Sequence, residues 1–297
     1  MNDNDFKGLC SQRGAALLIM FLALFMVSAA VLLKGLGNRN PSLRQDATIV
    51  KDLASAKEAL LADAVMDDNP GHFPCPDTNN DGSAELTCGA NAIGRLPVIF
   101  NRDFVTDQQL WYALTDAYRK NPAVGPASII NSTTSGALSL NGLNDVVAVI
   151  IAPGQALTGQ SRPNNTIANY LEVGPVGGAN YTTCSDPDTC NDKIVTISRL
   201  DIMSLITIRA AKEIKKEMDD YHTDNTKYPD DQTVFQSAMN PPLDSAAAWI
   251  TDNQWSNITT YNRINPDTAT IKFTDCAITF TLTSGSDTIV RSPKTCQ

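Results

Sequence analysis

The sequence has few residues suited to catalysis. It contains two histidines in 297 residues, His72 and His222, and both lie in acidic, turn-rich stretches typical of a protein surface. No Gly-x-Ser-x-Gly, His-Glu-x-x-His or phosphate-cradling glycine loop occurs, so the usual ways of placing a nucleophile, a metal-bound water or a phosphate are missing. We therefore expect a protein that is not an enzyme.

Basic residues are outnumbered as well. Lys and Arg total 23 against 32 Asp and Glu, which gives a formal net charge of -9. Contact with a phosphate backbone needs clustered Lys and Arg, so no nucleic-acid partner is expected. The length and the 42% hydrophobic content are enough for one large domain or two ordinary ones.

Charge is absent altogether from the nineteen residues 15–33. As a helix rising about 1.5 Å per residue, a run of that length can cross the hydrocarbon core of a bilayer. We therefore expect residues 15–33 to be transmembrane and to anchor the chain. A conventional signal peptide cut near Val27-Ser28-Ala29 and an uncleaved signal anchor are the open alternatives.

The start of the chain resembles type IV prepilins and the related pseudopilins of type II secretion. The resemblance rests on Gln12-Arg13-Gly14 followed by Ala-Ala-Leu-Leu-Ile-Met-Phe-Leu-Ala-Leu. It implies that residues 1–14 are a leader peptide, that prepilin peptidase cuts after Gly14, and that the new terminus, Ala15, is N-methylated. Most members carry a glutamate at the fifth mature position, whereas this chain has Ile19. Because a charge inside a membrane is usually kept for a function, its absence suggests a minor subunit, with the filament tip as one location.

The same resemblance implies a location and partners. The precursor would lie in the inner membrane as a single-pass protein with a periplasmic head. It would then enter a cell-envelope filament or pilus, where its N-terminal helix would pack against other pilin or pseudopilin subunits.

Helical patterning resumes after Pro41. Apolar residues such as Val50, Leu53, Leu60 and Leu61 recur at three- and four-residue steps, which predicts an amphipathic helix. With the pilin resemblance, this implies one long helix over 15–66, transmembrane over 15–33 and packed on an antiparallel β-sheet head. We therefore expect an α+β fold with a globular head over 67–198.

A short repeat divides the rest of the chain. Ala56-Lys57-Glu58 recurs 155 residues later as Ala211-Lys212-Glu213, and Phe73-Pro74 recurs as Tyr228-Pro229. Each block is predicted to form a helix, then an acidic turn, and then an extended segment whose start is fixed by the proline. The repeat suggests a second pilin-like helix-plus-sheet lobe over 199–297, and a coincidental match between two helix exits is the open alternative.

The cysteines favour an oxidising compartment. Of seven, Cys10 lies in the proposed leader, which leaves an even number for disulfides. Zinc is disfavoured because no Cys-x-x-Cys pair occurs. We expect nearest-neighbour pairing, and the resembled family often has a C-terminal disulfide loop; the expected pairs are Cys75 with Cys88, Cys184 with Cys190, and Cys276 with Cys296.

An acidic loop offers a calcium site. Oxygen-bearing residues occupy positions one, three, five, seven and nine of a calcium-binding loop, with Gly82 at position six; they are Asp77, Asn79, Asp81, Ser83 and Glu85. The twelfth position is Cys88 instead of the usual bidentate glutamate. Some pseudopilins hold calcium in a loop, and an Asx-rich turn without metal is the alternative. The acidic loop with Asp186, Asp188 and Asp192 is a weaker candidate, for which a solvated disulfide hairpin is the alternative.

A second resemblance covers most of residues 15–200, to a poorly characterised group of prepilin-like proteins in Gram-negative bacteria. The segments that carry it are Phe73-Pro-Cys-Pro-Asp77, Gly94-Arg-Leu-Pro97, Leu110-Trp-Tyr-Ala113, Val149-Ile-Ile-Ala-Pro-Gly154, Gln160 and Asn191-Asp192. Together the resemblances imply a minor pilin or pseudopilin, a structural and assembly subunit of a type IV pilus or type II secretion filament. The alternative function is a membrane-anchored, calcium-stabilised adhesin or binding module.

Overall fold

The computed structural model describes residues 41–89, 92–100, 109–120, 128–174, 178–240, 248–293 and 296. The predicted leader, the processing residues Gly14 and Ala15, and the apolar segment 15–33 lie outside the described residues. The chain divides into two units, Met1–Thr48 and Ile49–Gln297. Within the first unit the described residues, 41–48, are helical, and the second unit contains the sheets.

The described residues form four α-helices and ten strands, together with 3-10 turns at Val98–Phe100, Asp116–Tyr118, Ile167–Asn169 and Trp255–Ile258. The helices are α1 (Pro41–Met66), α2 (Arg199–Asn225), α3 (Gln232–Ala238) and α4 (Ala248–Asp252). The strands of the first sheet are β1 (Ala92–Arg95), β2 (Trp111–Leu114), β3 (Leu138–Leu140), β4 (Leu143–Ala152), β5 (Asn180–Tyr181) and β6 (Lys193–Ser198). Those of the second sheet are β7 (Thr259–Asn265), β8 (Thr268–Phe273), β9 (Thr279–Thr283) and β10 (Val290–Ser292).

Strand β4 is the centre of the six-stranded first sheet. It pairs with β2 and β3 along one edge and with β6 along the other, while β1 extends β2 and β5 extends β3. All of these pairs are antiparallel except β3 with β5. Residues 146–152 of β4 are buried without alternation, because both faces of this strand are covered, and a continuous apolar run satisfies both.

The second sheet is a four-stranded antiparallel meander in the order β10-β9-β8-β7. Its apolar residues alternate, as in Ala269, Ile271 and Phe273 of β8, all buried, so one face of the sheet lies on the core. The buried residues have odd numbers in β8 and even numbers in β9, as at Phe280 and Leu282. This change of parity falls near Asp275, whose φ of 57° is left-handed. Helix α2 begins with a capping box between Ser198 and Asp201.

One hydrophobic cluster joins helices α1 and α2 to both sheets. It contains Leu60 of α1, Ile150 of β4, Ile206 of α2 and Phe280 of β9, all almost fully buried. We call it the main core. A smaller cluster on the other face of the first sheet contains Trp111, Val149, Ile151, Leu171 and Tyr181, together with Ala113, Leu138, Val146 and Val173. We call it the second core.

Two long cations hold α1 and α2 together. The Nη1 group of Arg209 in α2 donates to the carbonyls of Val65 and Asp67 at the C-terminal end of α1, where backbone carbonyls lack helical donors. Its guanidinium lies 5.3 Å from the ring centroid of Trp249. In the other direction, Lys57 of α1 pairs with Asp201 of α2 at 2.9 Å.

The predicted fold class is correct, whereas the predicted membrane-spanning helix is not supported. The structure is α+β with antiparallel sheets. Among the described residues, however, no helix combines the length and the apolar character that crossing a membrane requires, because α1 and α2 carry charged side chains in nearly every turn. The expected transmembrane-plus-amphipathic helix, and with it the expected single-pass location in the inner membrane, is therefore not supported. The domain boundaries at 66 and 198 stay predictions.

Replacing Arg209 by Met should lower the free energy of unfolding by about 2 kcal/mol, because two carbonyls lose a charged donor. The matched control is Lys212→Met, at an exposed position of the same helix, which should change stability by less than about 0.5 kcal/mol. Urea denaturation followed by circular dichroism measures both. Equal losses in the two variants would contradict the role assigned to Arg209.

Candidate functional site

The predicted calcium-binding loop, residues 77–88, is stabilised by hydrogen bonds from its own backbone N–H groups to the Asp77 side chain. We call it the calcium-like loop. Asp77 is 1% exposed, and its carboxylate accepts the N–H of Asn80 at 2.6 Å on Oδ1 and that of Gly82 at 2.8 Å on Oδ2. Gly82 has a φ of 88°, and its carbonyl accepts the N–H of Val98 at 2.9 Å. The buried Asp77 therefore fixes a tight turn that only a glycine forms without strain.

The other predicted ligands make similar bonds. Asn79 Oδ1 accepts the N–H of Asp81 at 2.8 Å, and Asp81 Oδ1 accepts that of Ser83 at 2.7 Å, which lowers the pKa of Asp81. Glu85 Oε1 accepts the N–H groups of Thr78 at 3.1 Å and of Asn79 at 3.2 Å. Among the described residues no group of three or more His, Cys, Asp and Glu side chains is placed to hold a metal ion.

The cysteines form three pairs at disulfide distance. Cys75 and Cys88 bracket the calcium-like loop with a Cα–Cα distance of 5.7 Å. The other two pairs are Cys184 with Cys190 at 5.2 Å, and Cys276 with Cys296 at 4.7 Å. All three are the nearest-neighbour pairs that the sequence predicts.

Arg95, at the end of β1, joins the calcium-like loop to distant parts of the chain. Its Nη1 group donates to Asn80 Oδ1 of the loop and, at 2.6 Å, to Gln109 Oε1. Its Nη2 group donates to the carbonyl of Asn164 at 2.7 Å and to Asn165 Oδ1 at 3.1 Å. Arg95 is 9% exposed, so these acceptors replace nearly all of its water.

Two aromatic rings complete the environment of Arg95. The guanidinium carbon lies 5.4 Å from the ring centroid of Trp111 and 5.5 Å from that of Tyr170, and the two rings are 5.2 Å apart. Such placement adds a cation–π attraction. The backbone of Arg95 also pairs with that of Asp77 through two hydrogen bonds of 2.7 and 2.9 Å.

Residues 153–174 and 178–192, which we call the covering segment, follow β4 and contribute to the second core. Arg162 organises the first part: Nη1 donates to the carbonyl of Gly154 at 2.6 Å, and Nη2 donates to Gln160 Oε1 at 2.8 Å. Its Nε donates to the carbonyl of Asn169. The guanidinium lies 4.7 Å from the centroid of Tyr170, the same ring that Arg95 approaches.

A pair of carboxyl groups, Glu172 and Asp192, holds the rest of the covering segment. Asp192 Oδ2 accepts the N–H of Glu172 at 2.7 Å, and Oδ1 accepts that of Gly154 at 3.4 Å. Glu172 accepts a bond from Gln160 Nε2 on Oε1 and the N–H of Asn191 at 3.3 Å on Oε2. Burial, with a smaller contribution from the neighbouring Glu172, raises the pKa of Asp192 to about 7.

The segments of the second resemblance meet in this one region. Residues from all six belong to the same connected set of hydrogen bonds and ring contacts, which we call the polar network; they are Asp77, Arg95, Trp111, Gly154, Gln160, Asn191 and Asp192. Positions that the sequence spreads over more than a hundred residues thus serve one local structure.

Several site residues were missed or misplaced by sequence analysis. Arg162 and Glu172 carry no local signal, because their partners are set by the path of the covering segment. His72, expected at the surface, is 1% exposed, with its ring nitrogens 2.9 and 3.0 Å from the carbonyls of Asn69 and Ser128; burial lowers its pKa. Trp249 and Trp255 belong to the main core.

The weaker acidic loop does not form one cluster. Asp186 accepts the N–H of Asp188 at 3.1 Å on Oδ1, and its carbonyl accepts that of Cys190 at 2.9 Å. These bonds describe a small disulfide hairpin. Asp192 points elsewhere, to Glu172 and Gly154.

Replacing Arg95 by Lys should lower the free energy of unfolding by about 2 kcal/mol, because an ammonium cannot reproduce the planar fork that reaches the four acceptors. The control is Arg291→Lys, exposed in β10, with an expected change below about 0.5 kcal/mol. Chemical denaturation measured by tryptophan fluorescence tests this, since Trp111 reports on the network. An Arg95→Lys variant as stable as the control would show that the network contributes little.

Comparisons with known proteins give no information about the polar network, so its role is inferred from its geometry. No family model, no curated protein and no solved structure matches this chain.

Proposed function

We propose that this chain is a minor pilin or pseudopilin, a structural and assembly subunit of a type IV pilus or type II secretion filament. The observation that carries the proposal is the combination of α2 with the antiparallel meander β7–β10, whose last segment is tied back by Cys276 and Cys296. The prepilin resemblance implies a head of this kind, with a helix on an antiparallel sheet and a C-terminal disulfide loop.

The chemistry of the polar network favours a structural role over catalysis. Arg95, Arg162 and the Glu172–Asp192 pair direct their hydrogen bonds to groups of the chain itself. A catalytic site would instead aim such groups at a cavity open to substrate. Three cysteine pairs at disulfide distance suit a subunit that works in an oxidising compartment.

Assembly would depend on the start of the chain. In this proposal prepilin peptidase cuts after Gly14, and the apolar segment 15–33 contacts neighbouring pilin or pseudopilin subunits. Ile19 in place of a glutamate fits a minor subunit.

The mature N-terminus tests the proposal. Native protein should begin at an N-methylated Ala15, and Gly14→Val should retain Met1, because the peptidase reads the residue before the cut. Gly8→Val, at the other glycine of the leader, should be processed normally. Mass spectrometry of the purified proteins distinguishes these outcomes, and recovery of the subunit from sheared filaments provides a second readout. A native terminus at Met1, or one close to Ala29, would overturn the proposal.

A calcium-stabilised adhesin or binding module is a second candidate function. The observation that favours it is the disulfide-closed loop, in which Asp77 is already turned inward and Asp81 is exposed. A preformed loop lowers the ordering cost of binding a cation.

Thermal unfolding with calcium tests this second candidate. At a calcium concentration about ten times the dissociation constant, wild-type protein should gain about 1.4 kcal/mol of stability relative to EDTA. Asp81→Ala should abolish the gain, and Asp188→Ala, exposed in the other small disulfide loop, should preserve it. Identical unfolding midpoints for wild-type protein in millimolar calcium and in EDTA would reject the candidate.

A further inference from the structure

A cavity of about 280 Å³ lies between helix α2 and the end of the second sheet. Helix α2 lines it with Ile208 and Lys212, the sheet with Phe280 of β9 and Arg291 of β10, and the loop between those strands with residues 287–289. We call it the α2–β10 cavity. None of these residues belongs to the polar network or to the calcium-like loop, so the cavity is a separate feature of the fold.

Part of the cavity lining is apolar and continuous with the main core. Phe280 is 1% exposed, and Ile208 and Ile289 are partly buried against that core. An apolar group that covers such a surface removes it from water, which is favourable. The volume is slightly below the range of cavities that hold drug-sized molecules. The α2–β10 cavity therefore suits a short apolar group.

Two cations also line the cavity, and they come from different elements. Lys212 lies one turn after Ile208, on the same side of α2. Arg291 is directly opposite Phe280 in the register of β9 and β10, so both residues lie on the same face of the sheet. Within the described part of the chain, no salt bridge or hydrogen bond engages Lys212 or Arg291. Both cations are therefore available to an anion from outside the chain.

The charges around the cavity favour an anion with one negative charge. Asp287 lines the same space, so the two cations and this carboxylate leave one net positive charge. A single negative charge neutralises it, whereas a dianion adds repulsion from Asp287. The planar fork of an arginine matches the two oxygens of a carboxylate. A carboxylate on a short apolar chain therefore fits both the charge and the apolar lining.

The cavity is formed without a ligand. In the β9–β10 loop, the N–H of Thr288 donates to Ser286 Oγ at 3.2 Å, and the N–H of Ser286 approaches the carbonyl of Thr283 at 3.3 Å. On the helix side, Thr207 Oγ1 lies 3.8 Å from the Sγ atom of Cys296. These bonds hold the loop and the helix in place, so a ligand would pay little for ordering them.

We propose that the α2–β10 cavity is a binding site for a small monocarboxylate with a short apolar chain, which lies on Ile208, Phe280 and Ile289 while Lys212 and Arg291 hold its carboxylate. The site is independent of the proposed function. A bound ligand would connect α2 to the edge strand β10 and stabilise that end of the second sheet.

Methyl NMR of the full-length protein tests the site with hexanoate as the probe. The δ1-methyl signals of Ile208 and Ile289, assigned through their valine variants, should shift and saturate with a dissociation constant on the order of 1 mM. The signal of Ile264, exposed in β7, should not move. Hexan-1-ol, hexylammonium and acetate, which lack the charge, reverse it or lack the chain, should each bind at least about five-fold more weakly.

Two variants test the role of the cations. Lys212→Met and Arg291→Met should each weaken hexanoate binding at least about five-fold, because each removes a charged donor. Lys272→Met is the matched control, since Lys272 is exposed in β8 and does not line the cavity, and it should bind like wild type. If Arg291→Met fails to fold, Lys212→Met decides alone. The absence of a saturable shift in wild-type protein, equal binding of hexanoate and hexan-1-ol, or unchanged binding by Lys212→Met would each overturn the proposal.

Discussion

The burial of Arg95 is the constraint on which the irregular part of this structure depends. A guanidinium cannot give up its charge inside a protein, so every hydrogen bond to water that it loses must be replaced. Here the replacements come from the calcium-like loop, from Gln109 and from residues 164–165. None of these stretches belongs to a strand of the sheet, and their positions are fixed because one cation needs all of them.

The two hydrophobic cores stabilise different parts of the structure. The main core contains residues of both long helices and of both sheets, so its loss is the loss of the whole fold. The second core is covered by chain with little regular structure, held through Arg162, Tyr170 and the carboxyl pair. The polar network therefore stabilises the chain over the second core, whereas the packing of helices and sheets depends on the main core.

Sequence patterns predicted the parts of the fold that depend on near neighbours. The amphipathic pattern of α1 and the pairing of Cys75 with Cys88 both follow from residues within one element or one short loop. The polar network does not, because Arg95 and Asn165 lie 70 positions apart, and no local pattern marks either as a partner. His72 was misplaced for the same reason, since its burial depends on Ser128, 56 residues away.

The surroundings of Asp192 explain how one carboxylate can hold the covering segment in place. Strand β6, which begins at the next residue, is held to β4 by a register that runs from Val146 to Ala152. Just before Asp192, the Cys184–Cys190 pair closes a hairpin. Asp192 is thus anchored on both sides, whereas Glu172 lies in chain held mainly by side-chain hydrogen bonds. Asp192 is therefore a fixed acceptor, and the position of Glu172 depends on the N–H that it donates to Asp192 and on the bonds that it accepts from Gln160 and Asn191.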